Sequence, residues 1–101
     1  MDVSVERTSD GRLAVKLQTD EWEVNVHSSA AELAPLRGVH AANWNERRSI
    51  RAGESAGAAV FWSANGDAVT MLIGHDDEIW DVAVTVPHAV VEKIVRLAYG
   101  S

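Results

Sequence analysis

Apolar and polar residues alternate in several short stretches of this chain, and no other feature constrains its fold as tightly. The pattern begins with Val3 and Val5 and continues over residues 12–18 and 21–26. A period of two places one face of a strand in the core and the other in water. The first third of the chain is therefore predicted to be an antiparallel meander of three strands.

The middle of the chain predicts three more strands. Residues 58–62 are almost uniformly apolar, which is typical of a central strand covered on both faces. Asn65 and Gly66 then favour a tight hairpin because both tolerate a positive φ, and residues 68–73 supply the returning strand. Residues 79–86 form the last predicted strand. Its apolar side is expected to hold Trp80, Val82, Val84 and Val86.

Two helices are predicted, a short one and one near the C-terminal end. Ser28 and Glu32 fit the cap of a short helix, which Pro35 and Gly38 confine to a few residues. Pro87 is well placed as a first helical residue, because its missing N–H costs nothing there. The apolar residues after it recur at three- and four-residue spacing, which indicates an amphipathic helix.

The remaining middle segment has a weaker pattern. Residues 47–51 are a candidate short exposed strand, and residues 53–57 are predicted as a flexible connector. Together these assignments predict an α+β fold: a mostly antiparallel sheet of about six strands, a short helix after the third strand and a C-terminal helix packed on one face. At this length a single α+β domain over residues 1–101 is expected.

Composition excludes several classes of protein. The chain has 101 residues and a formal net charge of −6, which disfavours nucleic acid or an anionic membrane as the partner, because phosphate binding relies on lysine and arginine. It has no cysteine, so no disulfide, thiolate metal site or cysteine nucleophile is available. No apolar run approaches the roughly 18 residues of a membrane span, and the first residues lack a secretory pattern, so a cytoplasmic location is expected.

Two motifs raise the question of catalysis or metal binding. Residues 53–57 match the Gly-x-Ser-x-Gly nucleophile motif around Ser55, but that motif needs a turn from a strand into a helix, and here it leads into a strand. His75 precedes three carboxylates, which point in different directions in a turn and lack the spacing of a metal site. We therefore predict no catalytic residue, no metal site and no cofactor.

The four tryptophans divide into two groups. Trp22, Trp62 and Trp80 fall on apolar faces of predicted strands and are expected in the core. Trp44 lies in an irregular polar stretch close to Arg47, a setting typical of binding hot spots. The same residue would equally serve as a plug that seals one end of the core, and the sequence leaves both roles open.

Charge is unevenly distributed along the chain. Three arginines lie within residues 47–51, four carboxylates lie within residues 76–81, and Asp67 lies on a nearby predicted turn. A run of charge is often only a solvated face, but an acidic edge also attracts a basic partner and speeds their encounter. The predicted partner-binding residues are Trp44, Asp76, Asp77, Glu78 and Asp81.

The overall pattern resembles the small immunity proteins of bacterial polymorphic toxin systems, in particular the Imm1-like group. The matching segments are residues 31–33, 60–62, 76–80 and the helix over residues 87–97. The resemblance implies a non-catalytic protein that binds and blocks a cognate toxin, often a nuclease or a deaminase. It assigns no contact residues. The rich use of alanine and arginine also resembles that of actinobacterial proteins.

Three functions remain open at this point. The first is a protein-binding module, with inhibition of a basic toxin domain as its concrete form. The second is a small-molecule binder or minor enzyme with a pocket between sheet and helix, lined by tryptophan and histidine. The third is a structural homodimer, because a single helix covers only one face of strands that are apolar on both.

Overall fold

In the computed structural model, which describes residues 1–100, the alternating stretches form strands of one antiparallel sheet. The strands follow chain order from edge to edge, so each pairs with its neighbours in sequence. They are β1 (Asp2–Arg7), β2 (Leu13–Gln18), β3 (Glu23–Ser28), β4 (Ile50–Ser55), β5 (Ala58–Asn65), β6 (Ala68–Gly74) and β7 (Trp80–Pro87).

The helical segments lie between β3 and β4 and after β7. The first comprises α1 (Ala30–Leu33), a 3₁₀ helix (Ala34–Ala41) and a 3₁₀ turn (Trp44–Glu46). The second is α2 (His88–Tyr99), which ends at Gly100 in the left-handed conformation. Neither segment contains a helix long and apolar enough to cross a bilayer within residues 1–100.

The predicted α+β class with an antiparallel sheet is confirmed, but the predicted count of six strands is wrong. The additional strand is β4, which takes up most of the segment expected to be a flexible connector. Gly53 lies inside β4 with a φ of +85°, and a β-bulge interrupts its pairing with β5 between Arg51 and Glu54. Because bulges and glycines break the period of two, alternation alone does not reveal this strand. Ser101, the last residue of the expected domain, lies outside the described residues.

The core lies on the face of the sheet that α2 and the 3₁₀ helix Ala34–Ala41 cover. Its largest fully buried side chain is Trp62 of β5, whose indole N–H donates a hydrogen bond of 2.8 Å to the carbonyl oxygen of Ala52. Ile94 of α2 is also fully buried in this cluster. The hydroxyl of Tyr99 donates to the carbonyl of Ala30, which ties the end of α2 to the start of α1.

The sheet is joined at its centre by very little pairing. Between β3 and β4 the register contains one pair, His27 with Glu54, whereas every other neighbouring pair of strands has four or more. At this junction a β-carbon on Gly53 would lie 2.4 Å from Cγ1 of Val26 and 3.2 Å from the carbonyl oxygen of His27. Glycine is therefore required there both for its conformation and for the space it leaves.

We expect Gly53→Ala to destabilise the protein by about 2 kcal/mol or more, because it adds a steric clash to the strain of a positive φ. Gly11→Ala is the matched control, since Gly11 has a φ of +82° but no atom within 4 Å of an added β-carbon. The control substitution should lower the free energy of unfolding by about 1 kcal/mol. Urea unfolding of both variants measures the difference, and equal losses would contradict a tight contact between β3 and β4.

Candidate functional site

The face of the sheet opposite the helices, called here the outer face, is partly apolar over β5, β6 and β7. Register aligns Phe61, Leu72 and Ala83 in one row across the three strands. In a second row, the hydroxyls of Thr70 and Thr85 lie 3.1 Å apart. Leu72 is only 3% exposed although α2 and the 3₁₀ helix Ala34–Ala41 pack on the opposite face, so other groups cover it.

One covering group is Trp44, which is held over the outer face by the loop of residues 42–48. The N–H of Ala64 in β5 donates a 2.7 Å hydrogen bond to the carbonyl of Ala42, at one end of the loop. At the other end, the hydroxyl of Ser63 donates a 2.7 Å bond to the carbonyl of Arg48. Because β5 holds both ends of the loop, the position of the indole between them is constrained.

The second covering group is Trp80, and its predicted position in the core is wrong. A β-bulge lies between β6 and β7: Ile73 pairs with Val82, but the next residue, Gly74, pairs with Trp80. Asp81 is the extra residue, and because side chains alternate, one extra residue moves the preceding side chain to the opposite face. Trp80 is therefore 39% exposed and lies on the outer face. Of the other tryptophans predicted in the core, Trp62 is fully buried and Trp22 is partly buried against the core.

The two indoles meet edge to face across the outer face. Their ring centroids are 6.4 Å apart and the planes are inclined by 80°, the geometry that aromatic quadrupoles favour. The guanidinium of Arg47 lies 4.3 Å from the ring centroid of Trp44, within cation–π range. A cleft of about 200 Å³ lies between the indoles, with Leu72 and Thr70 in its lining. Trp44 thus lies outside the buried core rather than within it.

The predicted acidic residues lie in the turn between β6 and β7 and at the start of β7. The carboxylate of Asp76 is hydrogen-bonded within its own turn. Its Oδ1 accepts from the backbone N–H groups of Glu78 at 2.8 Å and Ile79 at 2.6 Å. These backbone hydrogen bonds hold the pKa of the Asp76 carboxyl below its ordinary value of 3.8. Glu78 and Asp81 are exposed and face solvent.

Asp77 connects the acidic turn with the arginine-containing loop. Its Oδ2 accepts a 2.9 Å hydrogen bond from the hydroxyl of Ser49. Arg47 and Arg48 line the same shallow depression as Asp77. The basic and acidic clusters, separate in the sequence, are therefore neighbours in the fold. Periodicity gives no signal for this contact, because both segments are irregular.

The motif around Ser55 takes the form of a tight hairpin. Ser55 ends β4 and pairs with Ala58, and the two residues between them, Ala56 and Gly57, both have positive φ. No side-chain hydrogen bond links Ser55 to a histidine or a carboxylate within residues 1–100. The same part of the chain contains no group of three or more histidine, aspartate or glutamate side chains placed to hold a metal ion.

A separate cleft of about 260 Å³ lies between the 3₁₀ helix Ala34–Ala41 and α2, and sequence reasoning missed it. His40 stacks on His88 with ring centroids 3.6 Å apart, and Nδ1 of His88 lies 2.8 Å from a carboxylate oxygen of Glu92. The Nε2 atom of His88 is buried and has no hydrogen-bond partner among residues 1–100. Arg37 and Arg96 also line the cleft. The four-residue spacing of His88 and Glu92 on a helix indicates that their side chains can meet. The stacking of His40 on His88 has no such signal, because the segment around His40 is not periodic.

Neither a family model, nor a curated protein, nor a solved structure matches this chain. Its function is therefore argued from the two surfaces just described.

We expect Asp76→Asn to lower the free energy of unfolding at neutral pH, because the ionised carboxylate accepts two backbone N–H groups. Since the folded-state pKa is lowered, this stabilisation is complete above the ordinary carboxyl pKa and is lost as the pH falls through the folded value. Urea unfolding at about pH 7 and about pH 2 should show a difference from wild type only at the higher pH.

Asp20→Asn is the control for this experiment. Asp20 is an exposed carboxylate in the turn between β2 and β3 and accepts no side-chain hydrogen bond within the described chain. It should change stability little at either pH. A deficit of Asp76→Asn that persisted in acid would mean that the variant disturbs the turn for a reason other than charge.

Proposed function

We propose that this chain is a non-catalytic protein-binding module, and specifically a cytoplasmic immunity protein that inhibits a cognate toxin through an acidic surface. One observation carries the proposal: a tryptophan pair, with Trp80 exposed and Trp44 half-buried, lies beside an acidic turn on the sheet face opposite α2. A likeness in sequence pattern to the immunity proteins of polymorphic toxin systems supports the more specific form.

The aromatic part of the surface has the character of a binding hot spot. Tryptophan and arginine dominate the residues whose truncation weakens protein complexes, and they cluster where water is excluded on binding. The guanidinium of Arg47 lies over the ring of Trp44, and the cleft between the indoles of Trp44 and Trp80 would accept an apolar side chain of a partner. Ile79, which is 65% exposed next to Trp80, extends the apolar area.

The electrostatic part of the surface favours a basic partner. Residues 52–92 contain no lysine and no arginine, and this stretch includes β5, β6 and β7 entirely. Asp67, Asp76, Asp77, Glu78 and Asp81 lie in β7 or in the turns on either side of β6, whereas Glu54 pairs with Arg51 and Glu92 lies beside His88 on α2. Toxins that act on nucleic acid need basic clefts, so an acidic surface of this kind would be attracted to one and would compete with its substrate.

The proposal predicts tight binding to the toxin domain of a neighbouring gene product. Trp80→Ala should weaken that complex by at least about 30-fold, because a hot-spot truncation costs about 2 kcal/mol or more. Asp81→Asn should weaken it several-fold at low salt and less at high salt. Isothermal titration calorimetry with the purified domain measures both effects.

Asp20→Asn is the matched control for Asp81→Asn, since it removes one exposed charge several strands away and should leave the affinity unchanged. Circular dichroism establishes that each variant is folded. A neighbouring gene product that has no toxin domain, or that does not bind, would overturn the immunity function. Equal effects of the two charge variants would overturn the assigned surface.

The cleft between the 3₁₀ helix and α2 favours a second candidate, binding of a small anionic molecule. Arg37 and Arg96 supply donors, and Glu92 is the carboxylate in the lining. A panel of small carboxylates and phosphates should then raise the melting temperature of wild type by mass action, and Arg96→Gln should abolish the rise. The absence of any shift across the panel would remove this candidate.

A further inference from the structure

Strand β7 is an edge of the sheet, with a neighbour on one side only. Its residues pair with β6 along its length, from Trp80 opposite Gly74 to Pro87 opposite Ala68. The backbone N–H and C=O groups on its other side therefore have no strand to pair with. Most of its side chains are exposed, including Val82 at 47%.

This edge lacks most of the devices that prevent strands from pairing with other chains. Edge strands are commonly protected by lysine, by proline within the strand or by short length. β7 has eight residues, a single charged residue at Asp81, and its proline only at the last position. The bulge lies at its start, so the regular part over residues 82–86 contains no charge. The opposite edge, β1, is shorter and carries Asp2, Glu6 and Arg7.

The charge around β7 indicates what would pair with it. Asp81 lies in the strand, the acidic turn precedes it, and Asp67 lies near its far end, where the Asp67 carbonyl accepts the N–H of His88. Arg47 and Arg48 lie near Asp77, but β5, β6, β7 and the turns between them contribute no lysine or arginine. A second copy of this chain would bring the same carboxylates and no cation from its own β7. A basic segment would neutralise them.

We propose that a basic, extended segment of the partner protein adds to β7 as an eighth strand. Its backbone would complete the free hydrogen bonds of residues 82–86, while its apolar side chains would lie beside Val82 and Val84 on the core side. Its lysine or arginine side chains would lie near Asp81 and the acidic turn. This inference rests on the proposed protein-binding function and specifies how the partner is recognised.

The test uses a peptide of about eight residues, the length of β7, in which arginine alternates with valine. Titration into the isotopically labelled protein, followed by amide spectra and hydrogen exchange, should shift and protect the amides of β7. A peptide with alternate backbone nitrogens methylated cannot donate along one edge, and it should bind at least about 10-fold more weakly. A peptide with glutamate in place of arginine should lose binding to a similar degree.

Two variants locate the interaction. Ala83→Lys places a cation on the exposed edge strand and should weaken peptide binding at least about 10-fold. Ser4→Lys makes the same change of charge on the other edge strand, at an equally exposed position, and should have little effect. Light scattering of both variants and of wild type reports self-association.

Three results would overturn the inference. The first is no binding of the arginine peptide, and the second is equal binding of the methylated and unmethylated peptides. The third is a doubled mass of the protein alone that Ala83→Lys returns to the monomer value, because this edge would then bind a second copy. If the neighbouring toxin domain still binds through Trp80 while the peptide fails, only the strand-addition mechanism is wrong. If the peptide binds but no toxin domain does, only the immunity function is wrong.

Discussion

The close contact between β3 and β4 is the constraint on which the rest of the structure depends. The β1–β3 meander and the β4–β7 sheet meet through one residue pair, and Gly53 leaves the space that allows it. The first helical segment enters the chain at this junction, and together with α2, which follows β7, it covers one face of the sheet. A side chain at Gly53 would separate two halves that share one core, which includes Val26 on one side and Trp62 on the other.

A consequence of this arrangement is that the buried core and the Trp44–Trp80 pair lie on different faces of the sheet. The core residues lie between the sheet and the helices, where the indole N–H of Trp62 donates its hydrogen bond to the backbone carbonyl of Ala52. The outer face of β5–β7 receives only the loop that carries Trp44, which leaves aromatic and acidic groups accessible. Substitutions of exposed residues on this face change what it can bind at little cost to folding, because surface substitutions away from special backbone geometry usually change stability by about 0.5 kcal/mol or less.

The alternating pattern predicted much of the fold, and its failures have local physical causes. The meander of β1–β3, the hairpin between β5 and β6 and the amphipathic C-terminal helix follow from periodicity and turn chemistry. The two-residue turn of that hairpin is Gly66–Asp67 rather than the expected Asn65–Gly66, because Asn65 pairs with Ala68 and has no positive φ. Strand β4 was not predicted as a whole because a bulge and a left-handed glycine interrupt its period. The sequence predicts the wrong face for Trp80 because of the bulge at Asp81. Apolar and polar residues alternate on both sides of Asp81, so the sequence gives no sign that this residue is unpaired. Asp76, Asp77 and Glu78 lie in the turn that the sequence predicts, but the contact of Asp77 with Ser49 depends on two irregular segments meeting in space.

The bulge at Asp81 also has an evolutionary consequence. Side chains on a strand reverse their direction with every residue, so deletion of one codon at this position would turn Trp80 inward while β7 from Val82 onward kept its register. A deletion of this kind would remodel the exposed face in a single genetic step and leave the register of the remaining strand unchanged. Such a position lets the outer face change while the strand pairing of the rest of the sheet stays the same.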